Sequence, residues 1–285
     1  GDIIAIQNNN SLEHFASSIS IALLGATAVS QSHKRSNEAI RKQNDLLKTQ
    51  WIFASENQQP QAYQNSPKIL HFQAGRTSDT FICDESVAQR PDAPWIIATG
   101  SGSTGSPKHI PITHVQQIRR CESATSWAPY SNEDTFASLA NVTFYQGKNR
   151  VMESICMGTK AVLLPTNTTT KKSDLEPIKT IYANPYHLNM LLKDSNINAE
   201  KTFPNLKHVI AAGGIISKEL RHQVRDNLCS NLHILYGTNE SCSCAIASPP
   251  DSYLDSAPIG RAMEKFEVDI VDENNIAIQS GAIGF

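Results

Sequence analysis

The sequence carries little net charge, contains no long hydrophobic run and lacks the paired cysteine spacing of a metal site. Its 285 residues have a formal net charge of -2, which argues against an extended surface for nucleic acid or anionic lipid. No apolar run approaches the roughly 20 residues of a membrane span, and residues 1–6 do not resemble a secretory signal. We therefore expect a soluble, cytoplasmic protein with no membrane span and no nucleic-acid partner.

The six cysteines form no pair of CxxC units, which is the spacing typical of a structural zinc site. Cys242 and Cys244 are two residues apart, so they would share one face of a strand. We interpret the cysteines as buried free thiols rather than metal ligands.

The order of predicted elements indicates an α/β fold of layered sheets flanked by helices. A strand at 2–6, a helix from Leu12 to Leu23 and a second helix over 36–47 come first. From residue 94 onward strands and helices alternate, as in a largely parallel sheet. We expect an α/β core over 1–250, built as two interleaved subdomains with the second starting near 94. An alternating pattern over 265–278 predicts the beginning of a small antiparallel β subdomain in 251–285.

A loop rich in glycine and hydroxyl side chains follows the predicted strand at 94–98. Its glycines let the backbone approach a ligand closely, and its hydroxyls and the charge of Lys108 suit phosphate oxygens. Pro107 separates the last glycine from the lysine, so the spacing is not that of the common P-loop. Thr113 and Gln116 form a capping box, and we expect the loop to join a strand directly to a helix. Composition alone also fits a loop without function; the order of the residues favours a nucleotide site.

That order, Ser-Gly-Ser-Thr-Gly-x-Pro-Lys, resembles the phosphate loop of the AMP-forming adenylate-forming enzymes, which include acyl- and aryl-CoA ligases, peptide-synthetase adenylation domains and luciferases. The resemblance extends over nearly the whole chain and implies that ATP phosphates are bound by Ser101, Gly102, Ser103, Thr104, Gly105 and Lys108. In this family a ribose-binding aspartate, a hinge and a small lid domain with a catalytic lysine follow further along. We therefore expect this stretch to be the N-terminal part, without the lid domain.

Two further segments resemble motifs of the same family. Residues 235–240 are similar to its Tyr-Gly-x-Thr-Glu segment, which implies an Mg2+ ligand at Glu240; a solvated surface glutamate is the alternative. Asn239 stands where threonine is usual. The glycine pair after the strand at 207–212 resembles the lining of the adenine and acid pocket, although a simple strand-to-helix turn has the same sequence. The implied adenine and acid pocket comprises Gly213, Gly214, Tyr236, Gly237, Thr238 and Asn239.

The segment 141–147 lies where the family has a substrate-gating motif, and the implied acid pocket comprises Phe144, Tyr145 and Gln146. Near Tyr145, amino-acid-activating members carry an aspartate for the substrate ammonium, and this sequence has no acidic residue there. An α-amino acid would leave a buried charge unpaired, so an acyl or aryl acid is favoured. The aromatic residues could equally be core residues.

The resemblance implies activation of a carboxylic acid by ATP and Mg2+, with release of pyrophosphate and transfer of the acyl group to a thiol of coenzyme A or of a carrier protein. A nucleotide- or acyl-binding remnant without activity is the main alternative, because Asn239 and Ala282 depart from the family pattern. An ordinary ATPase or kinase is disfavoured by the absence of Walker spacing.

Overall fold

The computed structural model describes residues 1–7, 11–32, 35–55, 60, 66–72, 90–100, 107–164, 175–193, 203–256 and 259–278. Within them the chain forms two sheets flanked by helices, which confirms the predicted fold class. No helix in these ranges is both long enough and apolar enough to cross a lipid bilayer.

The first sheet has six strands in the order β4-β3-β1-β2-β5-β6. All neighbours are parallel except β5 and β6, which are antiparallel. The strands are β1 (Ile3–Gln7), β2 (Thr27–Ser30), β3 (Trp51–Ser55), β4 (Lys68–Phe72), β5 (Pro94–Gly100) and β6 (Lys108–Thr113).

The second sheet has seven strands in the order β13-β12-β11-β10-β9-β7-β8. The five from β8 to β11 are parallel, whereas β12 and β13 are antiparallel additions at one edge. The strands are β7 (Thr135–Ser138), β8 (Lys160–Leu163), β9 (Thr180–Ala183), β10 (His208–Ala211), β11 (Leu232–Thr238), β12 (Cys242–Ala247) and β13 (Arg261–Ala262).

The described residues form six α-helices beside the sheets: α1 (Leu12–Leu23), α2 (Asn37–Leu47), α3 (His114–Trp127), α4 (Tyr145–Cys156), α5 (Pro185–Lys193) and α6 (Lys218–Asn227). The first turns of four of them are capped by the side chains of Ser11, Ser36, Thr113 and Ser217, each accepting from a backbone N–H three residues later. The capping box between Thr113 and Gln116 is confirmed. A 3-10 turn lies at Asp251–Tyr253.

Three predictions differ from the structure. We expected the second subdomain to start near residue 94, but strands β5 and β6 complete the first sheet because β5 pairs with β2. The second sheet begins only at Thr135. The loop after β5 leads into β6 and not directly into a helix. Residues 265–271 are not a strand, since a single bridge between Val271 and Ala277 is the extent of the pairing there.

Helix α4 lies between the two sheets and buries several polar side chains. Met152 packs with apolar residues of both sheets. Lys148 Nζ donates to Ser30 Oγ on β2 at 3.0 Å. On the other side, Arg150 Nη2 lies 3.4 Å from Ser243 Oγ on β12, and Arg150 forms a fully buried ion pair with Glu153 at 2.8 Å. The position of α4 is therefore fixed by polar contacts to both sheets.

The burial of Lys148 predicts a dependence of stability on pH. Burial lowers the pKa of Lys148 to about 7, whereas an unfolded lysine titrates near 10.4. Between these values the unfolded state binds more protons, so the free energy of unfolding rises with pH. We expect a contribution of up to about 1.4 kcal/mol per pH unit between pH 7 and 8.5, measured by urea unfolding.

The substitution Lys148→Met should remove this contribution, and Lys160→Met, at an exposed position of β8, should keep it. Equal pH slopes in the wild type and in Lys148→Met would contradict the assignment.

Candidate functional site

The base of the predicted phosphate loop is fixed by the antiparallel pair β5 and β6. Gly100, the last residue of β5, is paired with Lys108, the first residue of β6. Gln43 of α2 contacts both members of the next pair, Thr99 and His109, because its Nε2 lies 3.2 Å from Thr99 Oγ1 and 3.2 Å from His109 Nε2. The two ends of the loop are therefore held side by side. Five of the predicted phosphate-binding residues lie outside the described residues, namely Ser101, Gly102, Ser103, Thr104 and Gly105.

The segment after β11 lies opposite this base. A Cβ atom added to Gly100 would be 3.4 Å from Asn239 Nδ2, so the backbone of β5 approaches the Asn239 side chain closely. Asn239 Oδ1 accepts from Gln146 Nε2 at 3.2 Å. Asn239 thus stands between the base of the loop and the first turn of α4.

Gly237 is required by the tight turn between β11 and β12. A Cβ atom at this position would lie 1.9 Å from the Cys242 carbonyl oxygen, and the register shifts between Tyr236 and Gly237. Only glycine leaves room for this close approach. The resulting turn places Asn239 and Glu240 at the end of the strand pair, and Tyr236 remains half exposed beside them.

The positive charge of Lys108 acts on the carboxylate of Glu240. The backbone N–H of Glu240 and the Thr238 hydroxyl hold the pKa of the Glu240 carboxyl below its usual range, and the Lys108 ammonium adds to that effect. Both side chains are exposed. The charges of Glu240 and Lys108 therefore interact, although the two residues are 132 positions apart in the sequence.

Phe144 and Tyr145 line a cavity of about 260 Å3 between the first sheet and the start of α4, next to the base of the loop. Phe144 is 63% exposed, whereas Tyr145 is buried. The Tyr145 hydroxyl donates to Gln117 Oε1 at 2.9 Å and accepts from Arg120 Nη1. This hydroxyl is thus already engaged by the protein. The cavity is lined by Ser30, Ser32, Arg35, Ile96, Ile97, Ala98, Thr99, Gly100, Pro107, Thr143, Phe144 and Tyr145.

The glycine pair lies at the carboxyl end of β10. Gly213 has a φ of +84°, which glycine adopts readily, and a Cβ atom at Gly214 would be 3.3 Å from Pro185 Cγ. Neighbouring Ile215 is 91% exposed. The pair shares the carboxyl edge of the sheet with Tyr236 because β10 and β11 are parallel, and it does not line the 260 Å3 cavity.

Arg120 and Gln117 contact predicted site residues, although the sequence analysis did not identify either of them. Both lie on the buried face of α3, at the helical spacing shared with Ala124. Arg120 donates to Tyr145 and to backbone carbonyls of the segment that contains Glu240. The signal in the sequence was an arginine on the inward face of a predicted helix. Because arginine is seldom buried without a specific partner, such a residue indicates a contact to another segment.

A second cavity, of about 560 Å3, lies between α1, α3 and α4 and is mostly apolar. His114 and Trp95 line it, so His114 does not belong to the loop base. Cys121 and Cys156 line it as well.

Three described cysteines are buried, Cys244 is half-buried and Cys156 is exposed, so the expectation of buried thiols holds for part of the set. No group of three potential metal ligands occurs in the described parts of the chain.

Comparisons with known proteins identify the family. Residues 1–284 match the model of the AMP-binding enzyme family, so the chain belongs to this family. Surfactin synthase subunit 2 from Bacillus subtilis (strain 168) is 24% identical over 300 residues, which cover 100% of this chain and 8% of that protein. The chain thus spans less than a tenth of the length of this curated relative.

Solved structures show the same fold. The crystal structure of CmiS6 has a TM-score of 0.83 at 15% identity, covering 100% of this chain and 70% of that chain. The o-succinylbenzoate CoA synthetase from Bacillus subtilis, in complex with the acyl-adenylate intermediate OSB-AMP, has a TM-score of 0.80 at 19% identity, with 100% and 58% covered.

The proximity of Lys108 and Glu240 can be tested without any ligand. Removal of the ammonium in Lys108→Ala should raise the pKa of the Glu240 carboxyl, because the charge that favours its ionised form is lost. The pKa is measurable by NMR titration of the carboxyl carbon, assigned with Glu240→Gln. Lys160→Ala, at an exposed lysine of β8, should leave it unchanged. An unaltered Glu240 pKa in Lys108→Ala would show that the two groups are not neighbours.

Proposed function

We propose that this chain forms the ATP- and acid-binding part of an enzyme that activates an acyl or aryl carboxylic acid as its adenylate. The observation that carries the proposal is the convergence of Lys108, Glu240 and Asn239 at the base of a glycine-rich loop, beside the cavity at Tyr145. Ligand sites of α/β proteins favour such strand ends. Support also comes from the acyl-adenylate held by a protein of the same fold.

In the proposed reaction a carboxylate oxygen of the acid attacks the α-phosphorus of ATP, and the bond to the β-phosphate oxygen breaks. Pyrophosphate leaves with the electron pair of that bond, and the acyl-adenylate remains. Negative charge increases on the leaving oxygens, so preorganised donors and cations lower the barrier. We assign Lys108 and the loop residues 101–105 to the leaving phosphates. Tyr236 and Gly213-Gly214 would flank the adenine, because they lie on the carboxyl edge of the second sheet.

The residues present fit a magnesium ion at Glu240. The carboxylate is exposed and ionised, and Mg2+ takes one or two carboxylates together with phosphate oxygens and water. With a single carboxylate at this turn, most ligands would come from ATP and water. When bound there, Mg2+ would neutralise charge on the phosphates and orient them.

The acid is proposed to lack an ammonium group. Among the described residues that line the 260 Å3 cavity none carries a carboxylate, and Arg35 lies on its wall. Arg120 stands behind Tyr145. An ammonium group in this surrounding would be desolvated without a counter-ion and would face the Arg35 cation.

The acceptor of the acyl group is proposed to be a thiol of coenzyme A or of a carrier protein. Relatives of both kinds, a peptide synthase subunit and a CoA synthetase, support either choice. The need for ATP is compatible with the cytoplasm.

A remnant that binds nucleotide without activity is the second candidate. It is favoured by Asn239, whose amide oxygen is already engaged by Gln146 at 3.2 Å. Acid-dependent exchange of labelled pyrophosphate into ATP by the protein at its full natural length separates the two. Exchange with any carboxylic acid supports the enzyme, and nucleotide binding without exchange across a broad acid panel supports the remnant.

The proposed metal role predicts a specific response of Glu240→Gln. The loss of the carboxylate should raise the Mg2+ concentration needed for half-maximal exchange by about tenfold, because one charged ligand is worth a few kcal/mol at most. Excess Mg2+ should restore part of the rate. Glu219→Gln, at an exposed glutamate in the first turn of α6, is the matched control. The same Mg2+ dependence in both variants would exclude a metal role for Glu240.

The proposed acid class predicts the outcome of a mixed panel. Benzoate-like or fatty acids should support exchange at least tenfold better than any free α-amino acid, since each 1.4 kcal/mol of unpaired charge burial costs about a factor of ten. Pairs of matched acids with and without the α-amino group give the cleanest comparison. A standard α-amino acid as the best substrate would show that the pocket is elsewhere.

A further inference from the structure

Arg120 connects two segments of the proposed site that come from distant parts of the chain. Its Nη1 donates to the Tyr145 hydroxyl at the start of α4. Its Nη2 donates to the carbonyl oxygens of Asn239 at 3.1 Å and of Glu240 at 3.0 Å. A planar guanidinium can hold such partners in a fixed relative geometry.

Within the described part of the chain Arg120 forms no ion pair, although its charge favours the ionised form of buried Glu153. The side chain is only 9% exposed, and none of the ion pairs between described residues includes it. Its charge is met by the two carbonyls, the phenol oxygen and the Tyr145 ring, whose centroid lies 5.3 Å from the guanidinium carbon. Arg120 is therefore a buried cation whose hydrogen bonds hold the backbone carbonyls of residues 239 and 240 in place.

We propose that Arg120 is a positioning residue that aligns the acid cavity with the phosphate and metal groups. It fixes the backbone of Asn239 and Glu240 against the first turn of α4. The contact from Gln146 to Asn239 supports the same alignment. This inference rests on the proposed function. Because the reacting atoms must come within about 3.5 Å, a small displacement of either segment slows the chemical step.

The alternative is that Arg120 only stabilises the packing of α3 against α4. A packing role would lower the free energy of unfolding without changing the Mg2+ requirement of the folded enzyme. A positioning role through residues 239 and 240 would lower the maximal rate and change the Mg2+ dependence together. The two roles therefore differ in measurable kinetic terms.

The experiment compares Arg120→Lys, Arg120→Met and Arg119→Met in the protein at its full natural length. Arg119 is the neighbouring arginine of α3 and is exposed, so it is a matched control. Pyrophosphate exchange is measured with the best acid of the panel while acid, ATP and Mg2+ are varied separately. Urea unfolding of each variant reports its stability, and exchange is measured only where the variant is folded.

We expect the maximal exchange rate of Arg120→Met to fall by at least about tenfold, because charge-assisted hydrogen bonds to both segments are lost. The half-saturating Mg2+ concentration should rise, and the KM for ATP should change less than the rate. Arg120→Lys keeps the charge and much of the volume of the side chain but lacks the planar set of donors of a guanidinium. It is included because it is more easily tolerated by the fold than Arg120→Met. It should show the same pattern to a smaller degree, and Arg119→Met should match the wild type.

A folded Arg120→Lys with wild-type rate and Mg2+ dependence would overturn the positioning role, and so would a loss of stability with unchanged kinetics. A wild-type protein without exchange for any acid would instead overturn the proposed function, and the role of Arg120 with it.

Discussion

Helix α4 carries charged and polar side chains into the space between the two sheets, where water cannot solvate them. Lys148 therefore bonds to β2 of the first sheet, and Arg150 contacts β12 of the second. These contacts fix the helix between the sheets more narrowly than apolar packing would, because hydrogen bonds depend on direction as well as distance. The beginning of α4 supplies Tyr145 and Gln146, so the geometry of the proposed site follows from the placement of this helix.

The proposed site is assembled from three segments that meet at one edge. The pairing of Gly100 with Lys108 closes the base of the loop, the turn at Gly237 presents Asn239 and Glu240, and α4 presents Gln146. Each segment is rigid for a local reason, namely strand pairing, a turn that admits only glycine, or helix burial. The mutual alignment of the segments depends on contacts between side chains and backbone. Preorganisation of this kind is what a phosphoryl-transfer reaction requires.

Local signals predicted local structure well. The cap at Thr113 was correct because a cap depends on residues three positions apart. The strand β6 was missed because Pro111 argues against a strand; β6 is the edge strand of its sheet, where proline is tolerated. The partners of Arg120 lie 119 and 120 positions along the chain, so no local pattern could reveal them. The family motifs suggested which residues form the site, and this assignment stays a prediction; they did not indicate that the Tyr145 hydroxyl is engaged within the protein.

The account depends most on where the nucleotide binds. A crystal structure of the protein with Mg2+, a benzoate-like acid and an ATP analogue that cannot release pyrophosphate would show this directly. The account predicts the triphosphate at the base of the β5 to β6 loop, with Lys108 on the phosphates and the metal at the Glu240 carboxylate. A nucleotide in the 560 Å3 cavity lined by Trp95 and His114, or at any place where it contacts neither Lys108 nor Glu240, would contradict it.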